Sequence, residues 1–413
     1  MTTSWTVTRV LRDRNAGLYL ASVVVSGFGT SALWLASGVW VKDLTGSNGL
    51  AALCMLAMWA PTLAGPALGT IADRVRRKPL LIATELILAV LLLTLCTVDS
   101  PGRLWLLFAV LFVYGIAGVV QYAASSALVA AAIGPDLLGD FNGLRMTANE
   151  GMKLVAPLTG AALYAAYGGA SVAVLDAISC VCGAGLCALL RVREEQPVPT
   201  GEGWRKETAD GVRHLWGQPG LRALVQAGGT TMLFGALSST MTYAVVDRLG
   251  HSPAYAGVLY AVQGVGSVAV GLVSGPGLRW LGERRFAAAG IGLVAVAVAA
   301  RAVPSDAAAL VSAAAIGLGL PCVLIAAFTA VQSGTPGPLL GRATATANTL
   351  MFAPNVLGLA VGAGLVELAG PGLLLPFYGL GLLAAAASLA TSAQHADSAS
   401  RAAARSGSDA NAA

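Results

Sequence analysis

Charged residues are scarce in this sequence: 11% of its 413 residues are Asp, Glu, Lys or Arg, and only three are His. Soluble globular domains carry about a quarter charged residues, so this composition excludes an ordinary water-soluble domain. All six cysteines lie inside apolar blocks, which argues against a disulfide framework and a zinc site. We therefore expect no metal and no cofactor. No motif assembles a nucleophile, a base and oxyanion donors, so an enzyme is not expected either.

Hydrophobic residues, by contrast, make up 56% of the chain, and the mean hydropathy is +0.74. Apolar blocks recur along nearly the whole length, and many reach the roughly 20 residues that cross about 30 Å of hydrocarbon as a helix. Helices satisfy their own backbone polar groups in lipid. The pattern predicts an all-α membrane protein with twelve transmembrane helices, at 17–41, 49–72, 80–98, 104–130, 144–167, 171–190, 221–246, 254–278, 286–303, 307–331, 343–369 and 372–391.

The twelve spans divide into two groups of six. Residues 1–190 and 221–391 are predicted to form two six-helix bundles, and the polar stretch 191–220 is predicted to be a cytoplasmic linker with an amphipathic surface helix. Residues 392–413 are mostly Ala, Ser, Asp and Arg without apolar periodicity, which predicts a disordered cytoplasmic tail.

An internal repeat supports two pseudo-symmetric halves. Span five contains the sequence ANEGM (148–152), and span eleven, six helices later, contains ANTLM (347–351). Each follows a Leu-Gly pair and leads into a Pro and then Gly-rich apolar sequence. Duplicated halves of this kind are common in membrane transporters.

The distribution of positive charge predicts the orientation. Most of the 25 Lys and Arg residues lie in the N-terminus, the loops on the same side, the linker and the tail. Positive residues concentrate on the cytoplasmic side, so both termini are predicted to be cytoplasmic, in the cell membrane. Basic residues spread over short loops do not indicate nucleic-acid binding. The cations on the opposite side are Lys42, Arg103, Arg248 and Arg301.

The loop between spans two and three reads GTIADRVRRK, from Gly69 to Lys78. This loop resembles the signature loop G-x-x-x-D-R-x-G-R-R/K of the major facilitator superfamily, with Arg76 in place of the family's glycine. The resemblance implies twelve helices in two bundles, a small-molecule substrate, alternating access and a monomer. It also implies a conformational latch, formed by Gly69, Asp73, Arg74 and Arg77.

Prolines and glycines predict flexible helices in both halves. Span five contains Pro157 and Gly160 in APLTG, which resembles an element of the family's antiporters, and span eleven contains Pro354. Proline with small residues permits a kink and close helix contact. We expect these helices to flex about a central site.

Ionisable residues inside a membrane are costly, so each is a functional candidate until a structural partner explains it. Glu150 and Lys153 lie on one face of span five, where they could neutralise each other. Alternatively, Glu150 accepts a proton or contacts a cationic substrate, and Lys153 tunes its pKa. Asp176 on span six is expected to bond to a neighbour, and Glu85 on span three to pair with Arg77 or Lys78. All four carry the alternative of proton coupling.

Uncharged polar and aromatic residues are candidates for substrate contact, because hydrophobic ligands bind in mostly apolar cavities with a few hydrogen-bonding groups. In the family the cavity helices are the first, fourth, seventh and tenth. The candidates on these spans are Trp34, Tyr114, Gln121, Tyr122, Gln226, Phe234 and Tyr243.

The resemblance is to the drug and siderophore exporters of the superfamily, since the central cavity helices lack charged residues. It implies proton-coupled antiport, with protons as the coupling ion. A solute importer of the same fold is the first alternative, and a non-transporting membrane scaffold or receptor is the second.

Overall fold

The computed structural model describes residues 10–65, 67–68, 74–133, 135–192 and 204–410. Within these residues the structure is helical and contains no strand, which confirms the all-α prediction. In chain order the helices are α1 Arg14–Thr45, α2 Asn48–Trp59, α3 Arg77–Thr94, α4 Leu104–Ala132, α5 Pro135–Tyr167, α6 Gly169–Ala188, α7 Trp204–Gly217, α8 Pro219–Thr240, α9 Thr242–Arg248, α10 Ala256–Ala300, α11 Asp306–Gly334, α12 Gly337–Leu368 and α13 Pro371–Ala410.

These helices have the dimensions of membrane spans. Among the described residues, eight helical segments are long and apolar enough to cross a bilayer, and Asn48–Ala64 and Leu154–Tyr167 are shorter apolar helices. Helix α10 contains two predicted spans, which are separated at Gly282, where φ is +73°. Large apolar side chains on the predicted spans, such as Val296, which is 61% exposed, are suited to contact lipid.

The turn between α1 and α2 is defined by caps on both sides. Gly46 follows α1 with φ +71°, a left-handed conformation that favours glycine, and its N–H donates to the carbonyl of Lys42. Ser47 then caps α2, since its Oγ accepts a hydrogen bond from the N–H of Leu50. The chain therefore reverses within a short, well-bonded turn.

The described contacts divide the chain into two compact units that only partly follow the predicted halves. Unit 1 adds two segments of the second half to the first six spans, because these segments pack on α1, α2 and α5. The boundaries predicted at 190 and 221 stay a prediction. Unit 1 contains Met1–Trp204, Ser239–Val265 and Leu359–Gly370, and unit 2 contains Arg205–Ser238, Gly266–Gly358 and Pro371–Ala413.

The apolar interior of unit 1 consists of two clusters of buried side chains. One surrounds Leu33, Leu92 and Leu111, and the other surrounds Leu128 and Phe141. Both clusters include residues of α6, so one face of this helix packs against the interior of unit 1, whereas Ile178 and Val181 on it are exposed. That position explains why a carboxylate on α6 is removed from solvent.

The predicted repeat has a structural counterpart in each unit. In unit 1, a Cβ added at Gly27 of α1 would lie 3.2 Å from the sulfur of Met152; in unit 2, a Cβ added at Gly228 of α8 would lie 2.7 Å from the sulfur of Met351. The two methionines end the matching sequences ANEGM and ANTLM. Each half therefore packs its methionine on a glycine of its own first span.

The last helix is longer than the sequence predicts. Composition indicates disorder from Ser392 onward, whereas the helical backbone of α13 extends to Ala410. Alanine has the highest helix propensity of all residues, and this segment is rich in alanine.

Candidate functional site

A buried carboxylate occupies the interior of unit 1. Asp176 of α6 is 0% exposed, and its Oδ1 accepts a hydrogen bond from the hydroxyl of Ser179 at 2.9 Å. Its Oδ2 is also buried and has no hydrogen-bond partner among the described residues. A buried charge is costly unless it is paired and hydrogen-bonded. Asp176 is therefore a buried acid with hydrogen-bond partners for only one of its two oxygens among the described residues.

A chain of hydroxyl groups connects Asp176 to α1. Tyr114 of α4 lies 3.4 Å from Asp176 Oδ1 and 2.7 Å from the hydroxyl of Thr30. Thr30 uses its own hydrogen to donate to the carbonyl of Ser26 at 2.8 Å. Tyr114 has only one hydrogen, and the shorter distance favours Thr30 as its acceptor. A proton on Asp176 would supply the missing hydrogen for a bond to Tyr114.

A second carboxylate lies beside this chain. Ser26 donates from its hydroxyl to Glu85 Oε1 at 3.1 Å, so α1 bonds to α3 one turn away from Thr30. The hydrogen bonds that Glu85 and Asp176 make with described residues are with neutral groups. We name Ser26, Thr30, Glu85, Tyr114, Asp176 and Ser179 the polar cluster.

The polar cluster depends on a close approach of α1 and α6. A Cβ added at Gly29 would overlap the side chains of Asp176 and Ser179, and one added at Gly183 would overlap Ser26. Glycine on either helix therefore makes room for the hydroxyl and carboxyl groups. This small-residue contact is typical of helix pairs in membranes.

Lys78 does not form the expected pair with Glu85. Its Nζ donates to the carbonyls of Ala188 and Leu190, at 2.8 and 2.7 Å, at the end of α6. Carbonyls at a helix C-terminus attract cations, and Glu85 lies two turns further along α3. Lys78 thus fixes the end of α6.

Replacing Lys78 by alanine is expected to lower the stability of the purified protein by about 1 kcal/mol, because two charge-assisted hydrogen bonds at a partly exposed site are lost. Thermal unfolding in detergent measures the effect. R74A is the matched control, since the Arg74 side chain on the same loop is exposed. Equal unfolding midpoints for K78A and R74A would contradict the described role of Lys78.

The predicted latch is only partly visible. Gly69 and Asp73 lie outside the described residues, Arg74 is exposed, and Arg77 is the first residue of α3. Arg76, which replaces the family's glycine, has φ −60° and ψ 130°. Any residue adopts this conformation, so arginine is accommodated without backbone strain.

The candidates on span five lie on α5, but the side chains of Glu150 and Lys153 are outside the described part of the chain. Their pairing and their proton coupling stay predictions. Pro157 lies inside α5, and a Cβ added at Gly160 would lie 2.5 Å from the carbonyl oxygen of Ala32. Pro354 similarly lies inside α12.

The cavity candidates do not converge on one place. Tyr114 belongs to the polar cluster, and Gln121 donates from Nε2 to Thr84 Oγ1 at 3.1 Å. Tyr122 is 72% exposed. In unit 2, Gln226 is exposed and Phe234 packs near Tyr378.

Two other candidates lie together in unit 1. The rings of Trp34 on α1 and Tyr260 on α10 meet edge to face with centroids 4.8 Å apart. The Tyr243 side chain is buried, with its hydroxyl 3.4 Å from the carbonyl oxygen of Leu35. Sequence reasoning missed Tyr260 because span eight is not one of the family's cavity helices.

Sequence reasoning also missed a set of polar contacts at the end of unit 1 where Lys42 lies. Lys42 Nζ donates to Asp247 Oδ2 at 2.6 Å, and the N–H of Gly49 donates to Glu367 Oε1 at 2.6 Å. Lys42 was used only to predict topology, and Glu367 was not among the candidate residues. We name the region of unit 1 that contains these four residues the Lys42 end.

Long apolar helices with polar side chains packed among them define a multi-pass membrane protein. Residues 19–359 match the family model of the Major Facilitator Superfamily, and the chain belongs to this superfamily of transporters. Among the described residues, no group of three His, Cys, Asp or Glu side chains is placed to hold a metal ion.

A curated relative is macrolide efflux protein A of Streptococcus pyogenes, 22% identical over 261 residues, which are 62% of this chain and 64% of that protein. The match thus spans less than two thirds of the relative. Solved structures show the same fold at low identity. The structure of the nucleoside transporter NupG is 15% identical, with a TM-score of 0.70, and the match covers 92% of this chain and 98% of that one. The structure of the POT family transporter PepTSo is 13% identical, with a TM-score of 0.74, and the match covers 93% of this chain and 98% of that one.

Proposed function

We propose that this transporter exports small hydrophobic organic molecules in exchange for protons. The similarity to a macrolide efflux protein supports export. Aromatic residues such as Trp34, Tyr243 and Tyr260 suit an apolar substrate, since apolar walls with few polar groups are typical of such sites. A macrolide or a compound of similar hydrophobicity is the first substrate class to test.

An importer of the same fold is the second candidate. Structures of nucleoside and peptide transporters share this fold, so the fold alone is compatible with uptake. Nucleosides and peptides need several polar partners within the membrane. Gln121 of the cavity candidates is already bonded to Thr84, which favours a less polar substrate.

The polar cluster is the proposed site of proton coupling. Asp176 contacts Tyr114 of α4, which bonds to Thr30 of α1, and accepts a hydrogen bond from Ser179 of its own helix. Glu85, Tyr114 and Cys180 are the titratable groups that face it, and none of them supplies a positive charge. Because Tyr114 donates its hydrogen to Thr30, a proton bound at Asp176 would form a hydrogen bond to Tyr114 that the ionised acid lacks. This bond would connect Asp176 to α1 through Tyr114 and Thr30.

The proposed orientation places both termini in the cytoplasm, according to the excess of basic residues on that side. The Lys42 end then faces outward. We propose that the protein acts as a monomer in the cell membrane.

The test is reconstitution of the purified protein in liposomes with an imposed pH gradient. We expect gradient-dependent movement of a macrolide or a hydrophobic cation, accompanied by proton movement in the opposite direction. Protein-free liposomes and liposomes without a gradient are the controls. Movement of a nucleoside or a dipeptide alone would favour the importer, and gradient-independent movement would contradict antiport.

A further inference from the structure

The Lys42 end contains two carboxylates that reach the same short turn from distant parts of the chain. Asp247 lies at the end of α9, and Glu367 lies at the end of α12. Both contact residues 42–49, which comprise the end of α1, the turn at Gly46 and Ser47, and the start of α2. A turn of the first half thus receives two acidic groups from the second half.

The first contact is an ion pair whose two members also form hydrogen bonds with neighbouring residues. Lys42 Nζ lies 2.6 Å from Asp247 Oδ2, and it also donates to the carbonyl of Gly46 at 2.8 Å. The side chain of Lys42 is 10% exposed and that of Asp247 is 40% exposed. Asn48 donates from Nδ2 to the same oxygen of Asp247 at 3.2 Å. A lysine this buried depends on its carboxylate partner.

The second contact is a helix cap supplied from elsewhere in the chain. Glu367 Oε1 accepts hydrogen bonds from the N–H of Gly49 at 2.6 Å and from the hydroxyl of Ser47 at 2.7 Å. Because the first amides of α2 have no partner within the helix, and because they carry partial positive charge, a carboxylate there is stabilising. Removing Glu367 would leave the amide of Gly49 without this acceptor.

Close packing accompanies the cap. A Cβ added at Gly49 would lie 2.5 Å from the carbonyl oxygen of Ala363 and 3.0 Å from Cγ of Glu367. Helices α2 and α12 therefore touch at the residue whose amide is capped. The hydrogen bond and the steric contact must break together when these helices separate.

We propose that Asp247 and Glu367 act as two clasps that hold the Lys42 end closed, and that their release determines how readily this end opens during transport. The side of the membrane on which this end opens rests on the proposed function, because the proposed orientation places the Lys42 end on the outer face. The two clasps share one turn but use different chemistry, an ion pair and a helix cap. Loss of one clasp leaves the other, and loss of both frees α9 and α12 together.

Leu35 is a suitable reporter of opening. It is 0% exposed, and its side chain lies near Gly257, where an added Cβ would be 3.1 Å from Leu35 Cδ2. Leu35 lies seven residues before Lys42, two helical turns deeper along α1. A cysteine at this position is shielded while the second-half segments stay against α1.

The experiment measures labelling of L35C by a membrane-impermeant thiol reagent, in full-length protein in which the exposed Cys96 and Cys182 are replaced by alanine. We expect D247N and E367Q each to raise the labelling rate by about fivefold, and the double variant by more than either. D247E, which retains a carboxylate, should restore most of the protection. The reagent is applied separately to each side of the membrane.

D99N is the matched control, because Asp99 pairs with Arg103 at an exposed site outside the Lys42 end. Its labelling rate should equal that of the parent. Unchanged labelling in D247N, E367Q and the double variant would overturn the clasps. Labelling that rises only from the cytoplasmic side would retain the clasps and overturn the orientation. Labelling needs no substrate, so the result does not depend on the identity of the exported compound.

Discussion

Replacement of Asp176 by asparagine is expected to abolish all substrate movement driven by a pH gradient. Asparagine retains the size and shape of the side chain but does not bind or release a proton. It can still accept the hydrogen bond from Ser179, so the interior of unit 1 should remain packed. Initial rates in liposomes with and without a gradient measure the effect. In D176N the two rates should be equal.

The controls separate lost coupling from lost folding. Exchange of labelled for unlabelled substrate, with no gradient, should persist in D176N because Asp176 is not among the proposed substrate contacts. Y114F removes only the hydroxyl between Asp176 and Thr30 and should reduce the gradient-driven rate without eliminating it. If D176N retains full coupling while E150Q loses it, the proton site is on α5 and the polar cluster is structural.

The sequence was sufficient to predict the helical class, the superfamily and the repeat. Hydropathy indicates the helical class, and the loop from Gly69 to Lys78 indicates the superfamily, since each is visible in a short stretch of sequence. The same is true of the matching sequences that end in Met152 and Met351. The sequence does not show that Met152 packs against Gly27 and Met351 against Gly228, because each glycine belongs to a different helix from its methionine.

The site was less predictable, since its chemistry depends on contacts between distant residues. Asp176 could be identified as an acid within a span, but its partner Tyr114 is 62 residues away in the chain. Glu367 lies near the end of a span, where a carboxylate ordinarily reaches water. Its partner Gly49 is 318 residues away, and no local pattern links the two.

Replacement of Gly160 by valine is expected to prevent normal packing of α5 on α1. A Cβ at this position would lie 2.5 Å from the carbonyl oxygen and 2.8 Å from Cα of Ala32. Both atoms belong to the backbone of α1, which cannot rotate away as a side chain can. Overpacking of this kind costs about 1–3 kcal/mol, and more where the neighbour is rigid. The yield of monodisperse protein and its thermal unfolding midpoint measure the loss.

G151V provides the matched control on the same helix, because no described heavy atom lies within 4 Å of a Cβ added at Gly151. The second half offers an equivalent pair. G358V should be destabilising, since a Cβ there would lie 2.5 Å from the carbonyl oxygen of Leu233, whereas G364V should be tolerated. If both G160V and G358V fold but transport stops, close packing at these two glycines is required for transport rather than for stability. If G160V equals G151V in stability and transport, the described contact of α5 with α1 is wrong.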